Sequence, residues 1–207
     1  NNTSSSKKSS KSSSSGSSDK DPYKSALDVY YNFISKLAYL NRKLDQLMDE
    51  REEIMDREAE AIDAGDVKSV IAAQNELEEA NKTILAQHQK IVQENSDYMS
   101  GLKYGLNTLE DRIKSYGDVI DTANGYMMIH WDSYNNLGDD AKETVDDLIS
   151  EWEDYYKRAQ EAEDAIREII KYYKDLAKSY RESHKKARDT FLNLIDQLKD
   201  ALISIDK

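Results

Sequence analysis

The sequence predicts an all-α fold: an elongated helical bundle or coiled coil of about three long helices. Three observations carry this. One proline and seven glycines in 207 residues leave little material for the many turns of a β-sandwich or an α/β fold. Apolar residues recur at alternating steps of three and four along most of the chain. The apolar fraction is 38% against 34% charged, a balance that makes narrow apolar seams rather than a thick core.

The first 20 residues contain eleven serines, four lysines and no apolar side chain. Such a stretch cannot offset its ordering entropy, so 1–20 is expected to be a disordered linker. The chain has no initiator methionine and no charged-then-apolar leader, and reads as a processed product or a segment of a longer protein. Helix is expected from Asp21-Pro22, an N-cap residue followed by the residue favoured at the first helical position. From there Leu27, Tyr30, Ile34, Leu37, Leu44, Met48 and Met55 form an apolar row, with Asn41 and Arg51 at the positions it skips. A second row, Phe33, Leu40, Leu47 and Ile54, flanks it. So wide a stripe faces two or more helices.

Ala64-Gly65-Asp66 interrupts the pattern. Gly suits a C-cap and Asp the next N-cap, which predicts an αα-hairpin; one continuous helix is the alternative, since a helical Gly costs only ~1 kcal/mol. The second helix carries Val70, Leu77, Ile84, Ile91 and Tyr98 at a spacing of seven. Beside them lies a polar row with the same spacing: Gln74, Asn81, His88 and Asn95. It is either an exposed edge or a set of polar layers inside the coil, where buried Asn fixes register at a cost in stability; Asn41 is a candidate to join it. The helical hairpin is expected to fill 21–123, with helix to about Thr122. An irregular joint is expected over 124–138, around Asn124-Gly125 and Asn135–Gly138.

A long C-terminal helix is expected over 139–207. Asp140 and Glu143 resemble a capping box. Val145, Leu148, Trp152, Tyr155, Ala159, Ala162, Ile166, Ile169, Tyr173, Leu176 and Tyr180 follow at three-four spacing. Ala187 keeps the register. The row then slips to Phe191, Leu194, Leu198, Leu202 and Ile205, as a stutter does. About 65 helical residues would span roughly 95–100 Å.

No residue set points to chemistry. Cysteine is absent, which removes disulfides, thiol catalysis and cysteine-ligated zinc. His88, His130 and His184 lie in three segments, without metal-ligand spacing. His130-Trp131-Asp132 falls near the joint, where a small cleft is conceivable. The many carboxylates alternate with Lys and Arg and read as solvated helix faces. There is no phosphate-binding glycine loop. Gly101-x-x-x-Gly105 reads as a close helix approach or a weak point. The 14 tyrosines read as seam residues with the hydroxyl reaching water. No catalytic, cofactor-binding or metal-binding residue is expected, and no cofactor. A net charge of −12 argues against nucleic acid or an anionic lipid surface as partner, and no apolar run is long enough to span a membrane. The residues that matter are therefore those of the oligomer or helix-packing seam: Leu27, Tyr30, Ile34, Leu37, Leu44 and Met48; Val70, Leu77, Ile84 and Ile91; Leu148, Trp152, Ile166, Ile169, Tyr173 and Leu176.

The stretch from Asp21-Pro22-Tyr23 through Tyr30-Tyr31-Asn32 to Met55, a leucine-rich, charged heptad run after a Ser/Lys linker, resembles helical segments of phage tail tape measure proteins. The likeness covers 21–95, and the remainder shares only its style. It implies a non-catalytic segment of an oligomeric rod in a phage tail, acting in tail assembly and length determination, with self-association and other helical or tail proteins as partners and the virion as location. Membrane-spanning and peptidoglycan-cleaving segments of that family have no counterpart here. The alternative is a soluble, cytoplasmic helical scaffold or adaptor that binds partner helices through an exposed apolar seam.

Overall fold

A computed structural model describes residues 25–123, 126–179 and 185–202. The expected linker, the start at Asp21-Pro22, and Asn124-Gly125, Tyr180, His184 and Ile205 lie outside the described residues, as does the side chain of Ala187.

The fold is an all-α bundle with one small β-hairpin. The first helix, α1 (Ala26–Asp63), starts at Ser25, whose Oγ accepts from the Asp28 amide at 3.2 Å. It ends in a Schellman turn. The Gly65 amide bonds to the Ile62 carbonyl and the Asp66 amide to that of Ala61, with Gly65 at φ 69°, the left-handed region where a Cβ is strained. The second helix, α2 (Val67–Lys114), begins at once, because Asp66 accepts from both the hydroxyl and the amide of Ser69. Those two bonds hold the Asp66 carboxyl below its usual pKa range. The expected αα-hairpin is thus present, and α1 and α2 run antiparallel: Phe33 stacks on Tyr98, Leu40 meets Gln87, Arg51 meets Asn81 and Arg57 meets Glu76.

α2 ends at Lys114, before the expected Thr122. The expected irregular joint is more ordered than that: β1 (Ile120–Ala123) and β2 (Tyr126–Ile129) pair antiparallel, with Ile120 opposite Ile129. Short β-branched and apolar runs on either side of Asn124-Gly125 suit such a hairpin. The short helix α3 (Trp131–Asn135) follows, and the Tyr134 hydroxyl donates to Asp146 at 2.8 Å, tying it to the next element.

That element is α4 (Asp139–Ser179), and α5 (Lys185–Leu202) comes after it. The expected single C-terminal helix is not what forms. Tyr173 and Phe191, about 27 Å apart along one continuous helix, have ring centroids 5.4 Å apart. α4 and α5 therefore lie antiparallel, and the slip in the apolar row, which comes after Ala187, falls within the first turns of α5. α4 is antiparallel to α2, through Tyr155 against Gly105 and Tyr173 against His88. α5 is parallel to α2, through Phe191 near His88 and Gln197 donating to Gln93 at 3.1 Å.

α2 is therefore the central helix. The core sits along its second half, where Val92, Met99, Leu102 and Leu109 are buried against Val145, Trp152, Tyr155 and Ile166 of α4 and Phe191, Leu194 and Leu198 of α5. The ends of α1 and α2 nearest Gly65 run on beyond α4 and α5. This two-helix arm is held by one narrow seam, in which Leu47, Ala61 and Ala73 are buried.

Candidate docking groove on the α1–α2 arm

The seam residues of α1 divide. Tyr30, Leu37 and Leu44 are half-buried, but Leu27, Ile34 and Met48 are 46%, 41% and 45% exposed. The row that faces α2 is the flanking one: Ala26, Leu47 and Ala61 are buried and Phe33, Leu40 and Ile54 half-buried. Within the chain, then, the flanking row packs on α2 and the Leu27 row faces outward. Two adjacent rows of α1 are both apolar, and one partner helix covers only the inner one. Seven-residue spacing places Leu27, Ile34, Met48, Met55 and Ile62 on one outward stripe, with exposed Asn41 among them.

On α2, Ile91 is buried and Val70, Leu77 and Ile84 are half-buried. On α4, Leu148, Trp152, Ile166 and Tyr173 are buried and Ile169 and Leu176 half-buried. Trp152 stacks on Tyr156 at 5.0 Å, and its buried Nε1 has no hydrogen-bond partner among the described residues. Tyr30 packs under Arg158, whose guanidinium lies 4.0 Å from the ring centroid. Tyr98, stacked on Phe33 at 4.0 Å, has its hydroxyl pKa raised to about 12 by burial.

The polar row also divides. His88 and Asn95 are buried, while Gln74, Asn81 and Asn41 are exposed. His88 sits between Tyr173 and Phe191, with both rings edge-on at 5.4 and 5.5 Å, and its Nδ1 is 3.0 Å from the Tyr173 hydroxyl. Burial lowers its pKa. Asn95 donates to the Ile91 carbonyl at 2.9 Å. The buried half is thus satisfied within the chain, as polar layers require. Sequence reasoning missed Gln87, which is 5% exposed and donates from Nε2 to the Leu40 carbonyl at 2.9 Å. A long polar residue in the otherwise small row of Ala73 and Ala80 was the available signal.

The exposed half of the row borders a groove. Arg51, Met55, Glu58 and Ile62 of α1 face Gln74, Leu77, Glu78 and Asn81 of α2 across a concavity of about 610 Å³. The Arg51 Nε donates to Asn81 Oδ1 at 2.8 Å across its floor. A second concavity of about 500 Å³ continues it past Met48 between Asp45, Asp49 and Glu52. Gln74 and Asn81 share a heptad row with His88 and Asn95, and Arg51 and Glu58 share one with Tyr30. The groove therefore lies on the side of the hairpin that α4 and α5 cover lower down.

His130-Trp131-Asp132 borders another concavity, of about 640 Å³, with Gly117 and Asp118. His130 and Trp131 are exposed, and among the described residues no three His, Asp or Glu side chains are placed to hold a metal ion. Among the described residues no helix is long and apolar enough to cross a membrane. No protein-family model matches the chain, nor does any curated protein or solved structure.

Proposed function

We propose that this chain is a non-catalytic helical scaffold whose α1–α2 arm docks a partner helix. One observation carries the reading. Among the described residues, the face of the hairpin that α4 and α5 cover at His88 and Asn95 is left open at Gln74 and Asn81, beside the exposed Met48, Met55 and Ile62. Contiguous apolar surface rimmed by polar groups is what a helix-in-groove site offers.

The five methionines give a direct test. Met48 and Met55 flank the groove, and Met99 is fully buried in the bundle. With ¹³C-methyl methionine, titration with amphipathic helical peptides of either charge should shift Met48 and Met55 and leave Met99 in place. If no peptide of either charge moves them, the docking reading fails.

A second reading is favoured by the resemblance of 21–95 to tail tape measure segments: a structural segment of a tail protein, with the arm joining other tail proteins or further copies. In a parent phage, deleting the segment should then shorten the tail, by less than ~1.5 Å per residue removed because the helices lie side by side. An unchanged tail length would remove this reading.

A further inference from the structure

We propose that the groove takes a basic amphipathic helix of about four turns, lying in line with α4. This rests on the docking reading above and adds the class of partner.

Length comes first. Tyr173 is level with His88, so Ser179, six residues on, ends about level with position 82 of α2. From Asn81 to Val67 the groove runs on for about 21 Å, or about four helical turns, with no described residue covering it. A helix placed there continues the packing that α4 makes below it. It would meet Arg51, Glu58, Gln74 and Leu77, with Met55 and Ile62, 46% and 56% exposed, along the α1 edge. Unbranched methionine adapts to differently shaped apolar anchors.

Charge selects the occupant. Between 45 and 82 there are thirteen acidic and four basic residues, a net −9 within a chain of net −12. Asp45, Asp49, Glu52, Glu58 and Glu78 edge the two concavities. Of the arm's cations, Arg51 is bonded to Asn81, and Arg57 pairs with Glu76 at 2.7 Å. A second copy would bring one arm of −9 against another, and nucleic acid or an anionic lipid surface would be repelled. A helix with lysines or arginines flanking an apolar stripe complements both the floor and the rim.

The test uses two helical peptides with the same leucine stripe, one with lysine and one with glutamate on the polar face. Calorimetry should show the lysine peptide binding at least about tenfold more tightly, with affinity falling as salt rises. Met48→Glu with Met55→Glu should weaken it by at least about tenfold, while an unshifted Met99 methyl shows that the bundle is intact. Asp49→Asn, Glu52→Gln and Glu58→Gln together should weaken it several-fold and flatten the salt dependence. Equal binding of the two peptides, or no effect of the methionine variant, would overturn the proposal. If the glutamate peptide shifts Met48 and Met55 as strongly as the lysine peptide, helix docking stands and only the basic partner is lost. If neither peptide shifts them, both readings fall. Self-association in sedimentation that Met55→Glu abolishes would make the occupant a second copy and overturn the proposal.

Discussion

The ring of Tyr155 occupies the space that a side chain on Gly105 would need, so α4 approaches the backbone of α2 at this one level. Tyr155 is among the largest fully buried side chains, and its ring has nowhere to retreat. Four residues earlier, a Cβ on Gly101 would meet only the Val29 Cγ1, at an ordinary 3.7 Å. The two glycines of one sequence motif therefore differ in kind. Gly105 allows close approach, and Gly101 does not need to be glycine.

Alanine separates them. Overpacking costs about 1–3 kcal/mol, and the depth of the overlap places Gly105→Ala at the upper end. Gly101→Ala should be neutral or stabilising by up to ~1 kcal/mol, the helix-propensity gain. Denaturant unfolding of both variants checks this, and equal stabilities would show that Tyr155 is not held against Gly105.

The antiparallel pairing of α4 with α5 predicts a short distance where a continuous helix demands a long one. Spin labels at the exposed Tyr172 and Leu192 would lie about 30 Å apart on one helix. In the hairpin they should lie within about 20 Å, given helix axes 8–10 Å apart. Dipolar spectroscopy on the full chain distinguishes the two.

His88 should make the bundle acid-sensitive. Burial holds its pKa below the ordinary 6.5, so the unfolded chain takes up the proton first as pH falls. Its contribution is fully present above about pH 6.5 and is lost as pH drops toward the folded-state value. The Tyr173 hydroxyl can still accept from a protonated Nδ1, so the cost is one of desolvation rather than of a lost hydrogen bond. His88→Leu should be less sensitive to pH between 8 and about 5 than the parent chain. Melting curves across that range measure it, and parallel profiles would show that His88 does not carry the dependence.

The arm should open more readily than the bundle. Among the described residues 46–82 is packed along one narrow seam, whereas His88, Val92, Met99, Leu102, Leu109 and Ile113 of α2 are buried within the bundle. Amide hydrogen exchange in 46–82 should be faster than in 88–113. A bound peptide in the groove should slow it in the arm selectively; uniform protection along α2 in the free chain would contradict this.

Much of the fold was legible because its signals are local. Gly65 followed by Asp66 marks both a C-cap and an N-cap, and the turn between α1 and α2 uses them in that way. The polar row was legible as a row, but its two halves have opposite environments, because His88 and Asn95 lie level with α4 and α5 while Gln74 and Asn81 do not. The strands at 120–129 were missed because two four-residue segments, one of them with Asp121 and Thr122 at its centre, carry too little periodicity to stand out against helix.

By itself the sequence determined that the chain is helical, where the first hairpin turns, and which residues form the apolar stripes of α2 and α4. Each follows from capping chemistry or from the spacing of apolar residues along one helix. Only the tertiary structure decided which of two neighbouring apolar rows on α1 faces inward, that α5 returns beside α4, and that the groove near Gly65 is left open. Apolar periodicity describes one helix and is the same whatever lies opposite. Positions 180–184 contain neither glycine nor proline to mark a break. The antiparallel return of α5 brings Phe191 onto Tyr173 and His88, contacts between residues far apart in the chain whose gain appears only once three helices are in place.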